Sequence, residues 1–112
     1  MSKFIALLFG AADQNEKQEI SPDHSNTLMQ EWGKWAQANQ RSIVDHGMPL
    51  GSTIRVSATG ATNTKNAIVA YCIVEAADHA AAASMFREHP HLRLHKGNTI
   101  EVIEGLEIPQ LS

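Results

Sequence analysis

Phe4 to Phe9 is an unbroken apolar run between Lys3 and Gly10. It matches one strand buried on both faces, and residues 3–9 read as the first strand. Residues 10–21, crowded with Asp, Gln, Asn, Glu and Lys, read as a polar loop. Ser21-Pro22 then opens a helix, with Ser21 as N-cap acceptor and Pro22 in the first helical position. Leu28, Trp32, Trp35, Ala36, Asn39 and Ile43 recur at helical spacing, so this helix is expected to run until Gly47 and Pro49 end it. Gly33, in its interior, costs about 1 kcal/mol against alanine and predicts a kink or a close neighbour. Leu50–Ser57 alternates as a second strand, with Leu50, Ile54 and Val56 on one face. The turn residues of 58–66 predict a hairpin loop. Ala67–Val74 is nearly all apolar and forms a third strand. Asp78 caps a second helix ending at His89-Pro90, with Ala82, Met85, Phe86 and His89 as its buried stripe. Thr99–Ile103 is the fourth strand, followed by a tail over 105–112.

The resulting order is β-α-β-β-α-β, an α+β chain of the ferredoxin-like split-βαβ type with a four-stranded antiparallel sheet. The runs 3–9 and 67–74 suit its middle, and the mixed strands 50–57 and 99–104 suit its edges. Two helices cover one face of such a sheet. The other face needs a cover, and a second copy of the same sheet is the economical one, giving a homodimer packed sheet to sheet.

Composition narrows the function more than the fold. The 112 residues are enough for a single domain over 1–112. Net charge is −3 at pH 7, which argues against nucleic acid or an anionic membrane as partner. One cysteine, Cys72, excludes a disulfide framework and a cysteine-based zinc site; its place in a central strand predicts burial rather than reactivity. The apolar run near the N-terminus is too short for a typical signal peptide, and no run approaches a membrane span, so a cytoplasmic protein is expected. No nucleotide, flavin or nicotinamide fingerprint is present, and no cofactor is expected.

Several segments resemble the YCII-related, or DGPF-containing, group of small dimeric α+β barrel proteins. They are Trp32-Gly33-Lys34-Trp35, Gly47-Met48-Pro49-Leu50-Gly51, Tyr71 to Ala76, His89-Pro90-His91-Leu92, Gly97 and Ile100-Glu101-Val102. Together they span about residues 3–104. The resemblance implies the same ferredoxin-like fold and dimer, and few reactions are assigned in the group. The Asp-Gly-Pro-Phe tetrapeptide is absent, its loop being occupied by Ala58–Ala67. Shorter relatives carry a histidine early in the first helix, opposed by an aspartate; here His24 lies near the helix start, farther from Gly47 than in those relatives.

The segment 87–96 holds three histidines, two arginines and a lysine against one acid. An extended chain after Pro90 would place His91, Arg93 and His95 on one side and Leu92 and Leu94 on the other. That is either a site for a small anion or a solvated loop with two leucine anchors. His89 is either a satisfied core histidine or a proton-transfer group. The spacing of His89, His91 and His95 could also hold zinc or copper, but no carboxylate accompanies it and no metal is expected. Glu101 acts beside a histidine if it points inward, and is an edge-strand charge if it points outward. Asp45 and His46, adjacent at the helix end, do not face each other, and His46 there simply suits the helix dipole. Trp32 and Trp35 share a helix face as core, and Trp35 can line a ligand pocket.

The leading expectation is a cofactor-free acid/base enzyme acting on a compact anionic or carbonyl-bearing metabolite. His89 or His91 would move the proton, Glu101 would orient or share it, and Arg93 would hold the negative group beside Trp35 and His95. The rivals are a dimeric ligand-binding or stress-accessory module without turnover and, by fold analogy alone, a cofactor-independent monooxygenase.

Overall fold

The computed structural model describes residues 1–10 and 22–108. Most of the expected loop at 10–21, including the Ser21 cap, and the last four residues of the tail lie outside them. The elements are β1 (Ser2–Phe9), α1 (Pro22–Ala38), β2 (Ile43–Asp45), β3 (Thr53–Ser57), β4 (Gly60–Thr64), β5 (Ile68–Ala76), α2 (His79–Ser84), α3 (His91–Leu94) and β6 (Thr99–Glu104). A four-stranded antiparallel sheet runs in the order β2-β5-β1-β6, and β3 and β4 form a separate two-stranded ribbon. The two most apolar runs of the chain thus supply the inner strands.

Strand alternation divides the sheet into two faces. Phe4, Ala6 and Leu8 of β1 and Ala70, Cys72, Val74 and Ala76 of β5 are buried with Ala82 and Phe86. Trp32 and Trp35 of α1, with Ile100 and Val102 of β6, pack against that cluster. Ile5 and Leu7 point the other way, opposite Ile73 and Tyr71 on one side and Ile103 and Glu101 on the other. This face carries no helix, and β1 and β5 are only half-buried there.

Three expectations fail, each for a local reason. The first helix stops at Ala38 rather than Gly47, because Asn39 turns back and donates its side-chain amide to the Trp35 carbonyl at 2.8 Å. The β-branched pair Ile43-Val44 then joins the sheet as β2, beside β5. That places β2 where residues 50–57 were expected. The chain at 49–50 touches β5 only through the Pro49–Ala70 bridge and the bond from the Leu50 amide to the Val69 carbonyl. Much of the expected loop at 58–66 is strand β4, where Thr62 and Thr64 suit a pleated ribbon.

Asp78 does cap the second helix, accepting the Ala81 amide at 2.7 Å. The helix ends at Ser84, however, and continues to His89 as i to i−3 turns through Met85, Phe86 and Arg87. After Pro90 the chain is helical, not extended: Leu92 and Arg93 donate to the carbonyls of His89 and Pro90. A proline restricts the residue before it, while its own fixed φ favours a helical turn after it.

Two glycines have opposite roles. A Cβ added to Gly33 would meet nothing within 4 Å beyond its own helix, so the close neighbour expected from its helical cost does not exist. Gly47 has φ +74°, and a Cβ there would lie 1.7 Å from the Tyr71 carbonyl oxygen. Gly33→Ala should therefore raise stability by about 0.5–1 kcal/mol. Gly47→Ala should lower it by on the order of 3 kcal/mol, from backbone strain and the clash with β5. Urea midpoints measured side by side check both signs.

Candidate functional site

A cavity of about 240 Å³ lies between the sheet and α1. Leu8 and Cys72 form part of its sheet wall, and Trp32, Trp35 and Ala36 of α1 face them. Ile43 and His46 line it from the β2 side, and His89 from the turn before α3. The volume is below that of drug-sized sites and suits a compact ligand.

His89 is the polar centre of this wall. It is 2% exposed, with its ring edge-on to Trp32 at 4.4 Å and to Trp35 at 4.6 Å between centroids. The His91 amide donates to His89 Nδ1 at 3.0 Å. An accepting Nδ1 carries no proton, so the neutral ring holds its hydrogen on Nε2. Burial lowers the pKa of His89 to about 4, with His91 and Arg93 adding like-charge repulsion. At neutral pH this is an uncharged imidazole with one defined tautomer. Trp35 is held in place by its own bond, the indole Nε1–H donating to the Met85 carbonyl at 2.7 Å.

His91 is buried to the same degree and does something different. Its Nε2–H donates to the Phe9 carbonyl at 2.9 Å, fastening α3 to the end of β1, and its own carbonyl accepts from Asn98. Burial lowers its pKa, while the carbonyls of Phe9 and Thr99 pull the other way. His95 is half-buried, and its Nε2 has no hydrogen-bond partner. Arg93 lies on the surface, paired with Glu31 of α1 at 2.6 Å. The short helix after Pro90 thus breaks up the one-sided row of His91, Arg93 and His95 that an extended chain would have made.

Glu101 is not beside these histidines. It is exposed on β6 opposite Leu7, on the face that carries no helix. Of the six residues the sequence singled out, His89 and Trp35 share the cavity, and His91 supports it through its amide. Arg93, His95 and Glu101 do not line it. Among the described residues no three His, Cys, Asp or Glu side chains converge to hold a metal. No helix among them is long and apolar enough to cross a membrane.

Ile43 and His46 were missed as wall residues because the first helix was expected to carry them through to Gly47. The signal available was the β-branched pair just before Gly47, which favours a strand. Asp45 shapes this turn: its Oδ1 accepts the Gly47 amide at 2.8 Å, and its Oδ2 accepts from the Tyr71 hydroxyl at 3.4 Å. Cys72 is buried in the wall, and burial first, then Asp45, pushes its thiol up to about 11. It stays a protonated thiol at neutral pH, a poor nucleophile.

No protein-family model matches the chain, and no curated protein matches it.

The lowered His89 pKa sets a direction for stability. Between about 4 in the folded state and the ordinary 6.5, the unfolded chain binds more protons than the folded one. The stabilisation is complete above about pH 6.5 and is lost as pH falls toward 4, amounting to on the order of 3 kcal/mol for this group. His91 is shifted the same way and adds to the loss. His89→Asn keeps an oxygen able to accept the His91 amide but cannot titrate. The stability difference between pH 7.5 and pH 4.5, measured by urea unfolding, should shrink in that variant by about the His89 contribution; an unchanged difference would show that His89 titrates normally.

Proposed function

We propose that the protein is a small enzyme that moves a proton on a compact carbonyl-bearing metabolite, with His89 polarising the carbonyl. The observation that carries this reading is the neutral His89 of fixed tautomer in the wall of an apolar cavity. An Nε2–H donor in a buried aromatic setting strengthens its bond to an oxygen as that oxygen gains negative charge, and needs no reorganisation to do so. His46, exposed to water and lining the same cavity, is the group that exchanges the proton. Trp35 and Trp32 pack the substrate's apolar part, and His91 is a positioning residue that holds the His89 ring. Arg93 is tied to Glu31 away from the cavity, so a carbonyl rather than a charged group is the feature recognised. Proton transfer beside a carbonyl requires no electron or group carrier.

The same reading includes the YCII-type architecture, a ferredoxin-like chain in a cytoplasmic homodimer. The aligned Ile5, Leu7, Ile73 and Ile103 of the helix-free face support a second copy as its cover. A binding module without turnover is the second reading. It is favoured by the His89 pKa near 4, which keeps that ring from taking up a proton at neutral pH.

Deuterium incorporation next to the carbonyl of small ketones and 2-oxo acids, followed by proton NMR in D₂O, separates the two. Catalysis predicts protein-dependent exchange that falls at least about 100-fold in His89→Phe, a change that keeps an aromatic ring in the wall. Quenching of tryptophan fluorescence without any exchange would establish the binding module instead. Light scattering should give twice the 12.2 kDa chain mass; a single-chain mass would reject the dimer.

A further inference from the structure

β2 ends at Asp45, and the next ties from this stretch to β5 are the Pro49–Ala70 bridge and the bond from the Leu50 amide to the Val69 carbonyl. His46 falls in that interval. It is exposed, yet it lines the cavity together with His89. An exposed side chain at a strand end is free to turn away unless the main chain beneath it is fixed.

The Asp45 carboxylate fixes it. Oδ1 accepts the Gly47 amide at 2.8 Å, closing a turn of main chain around His46. Oδ2 accepts from the Tyr71 hydroxyl at 3.4 Å, a longer and weaker bond that ties the same turn to β5. Gly47 completes the turn at φ +74°. The carboxylate does this from behind the wall. Asp45 pairs with Ile73, which points to the helix-free face, and the next residue, His46, lines the cavity on the other side. Asp45 is not itself a lining residue, although its charge contributes to the raised Cys72 thiol.

We propose that Asp45 is a positioning residue for His46, its carboxylate holding the turn that keeps the imidazole at the cavity. This rests on the proton-transfer reading above, in which His46 exchanges the proton, and names what holds that group in place. The role needs hydrogen-bonding atoms rather than a charge. Asparagine supplies them, its Oδ1 accepting from Gly47 and its amide donating to the Tyr71 oxygen. Alanine supplies neither. A carboxylate that acted on the substrate directly would be lost in both changes.

The test compares Asp45→Ala and Asp45→Asn in the full chain, with Tyr71→Phe removing only the hydroxyl. In the exchange assay with small ketones, Asp45→Ala should lower the saturating rate roughly tenfold and change the half-saturating concentration less than about twofold, because Trp32, Trp35 and His89 still hold the ligand. Asp45→Asn should return the rate to within about threefold of the unaltered protein, with Tyr71→Phe between the two. Asparagine as slow as alanine would overturn the proposal. A second measurement needs no turnover. Through-space NMR contacts from the His46 ring to Trp35 or Ile43 should be present in the unaltered chain and in Asp45→Asn, and lost in Asp45→Ala. Contacts missing from the unaltered chain, or persisting in Asp45→Ala, would overturn the proposal whatever the rates. The expected contacts in a protein with no exchange activity would remove the proton-transfer reading and leave Asp45 as the holder of His46. Asp45 is exposed, and circular dichroism verifies that each variant is folded.

Discussion

Burial holds His89 uncharged between two indoles, and a backbone amide two residues on supplies the bond its Nδ1 needs. The His91 amide reaches that nitrogen only because the chain turns helically after Pro90. The His91 ring in turn is bonded to the Phe9 carbonyl at the end of β1. Ring orientation, tautomer and the closure of α3 over the sheet therefore depend on one two-residue turn. A buried polar atom left without a partner costs about 1–3 kcal/mol, so this arrangement is far from neutral energetically.

The same turn explains why residues of similar type have different roles. Segment 87–96 is basic as a whole, yet its cations do not gather. Arg93 leaves the helical turn toward Glu31, His91 goes into the interior, and His89 faces the cavity. Burial then acts on each according to its partners. It lowers His89 to about 4 and lowers His91 too, against the pull of two carbonyls. It raises the Cys72 thiol, where an anion would have to form. Of the residues that line the cavity, His89 and Cys72 are thus held in their neutral forms.

On the other side of the sheet, the constraint is coverage. α1 and the 79–94 segment reach one face only, and the β3–β4 ribbon projects without joining the sheet. Apolar side chains consequently remain on the helix-free face, on the ribbon and along β6. The cavity lies on the helix-covered side, across the same two central strands from the apolar helix-free face.

Local sequence determined the parts of this protein that depend on period and on capping. The runs at 3–9 and 67–74 were legible as central strands because both are apolar at nearly every position. Asp78 was legible as a cap, and the stripe Ala82, Met85, Phe86, His89 as a buried face, because side-chain spacing survives the change from α-helix to tighter turns. Trp35 and His89 were legible as residues of those inward-facing stripes for the same reason. Tertiary structure alone decided the rest. Ile43 continues a helical stripe and is equally suited to a strand; pairing with β5 chose the strand and brought His46 to the cavity. Glu101 alternates with two apolar residues in either orientation, and only the register with Leu7 turned it outward. The histidines after Pro90 were separable only once the chain was seen to coil, since a residue's protonation and role follow from the partners that distant segments place around it.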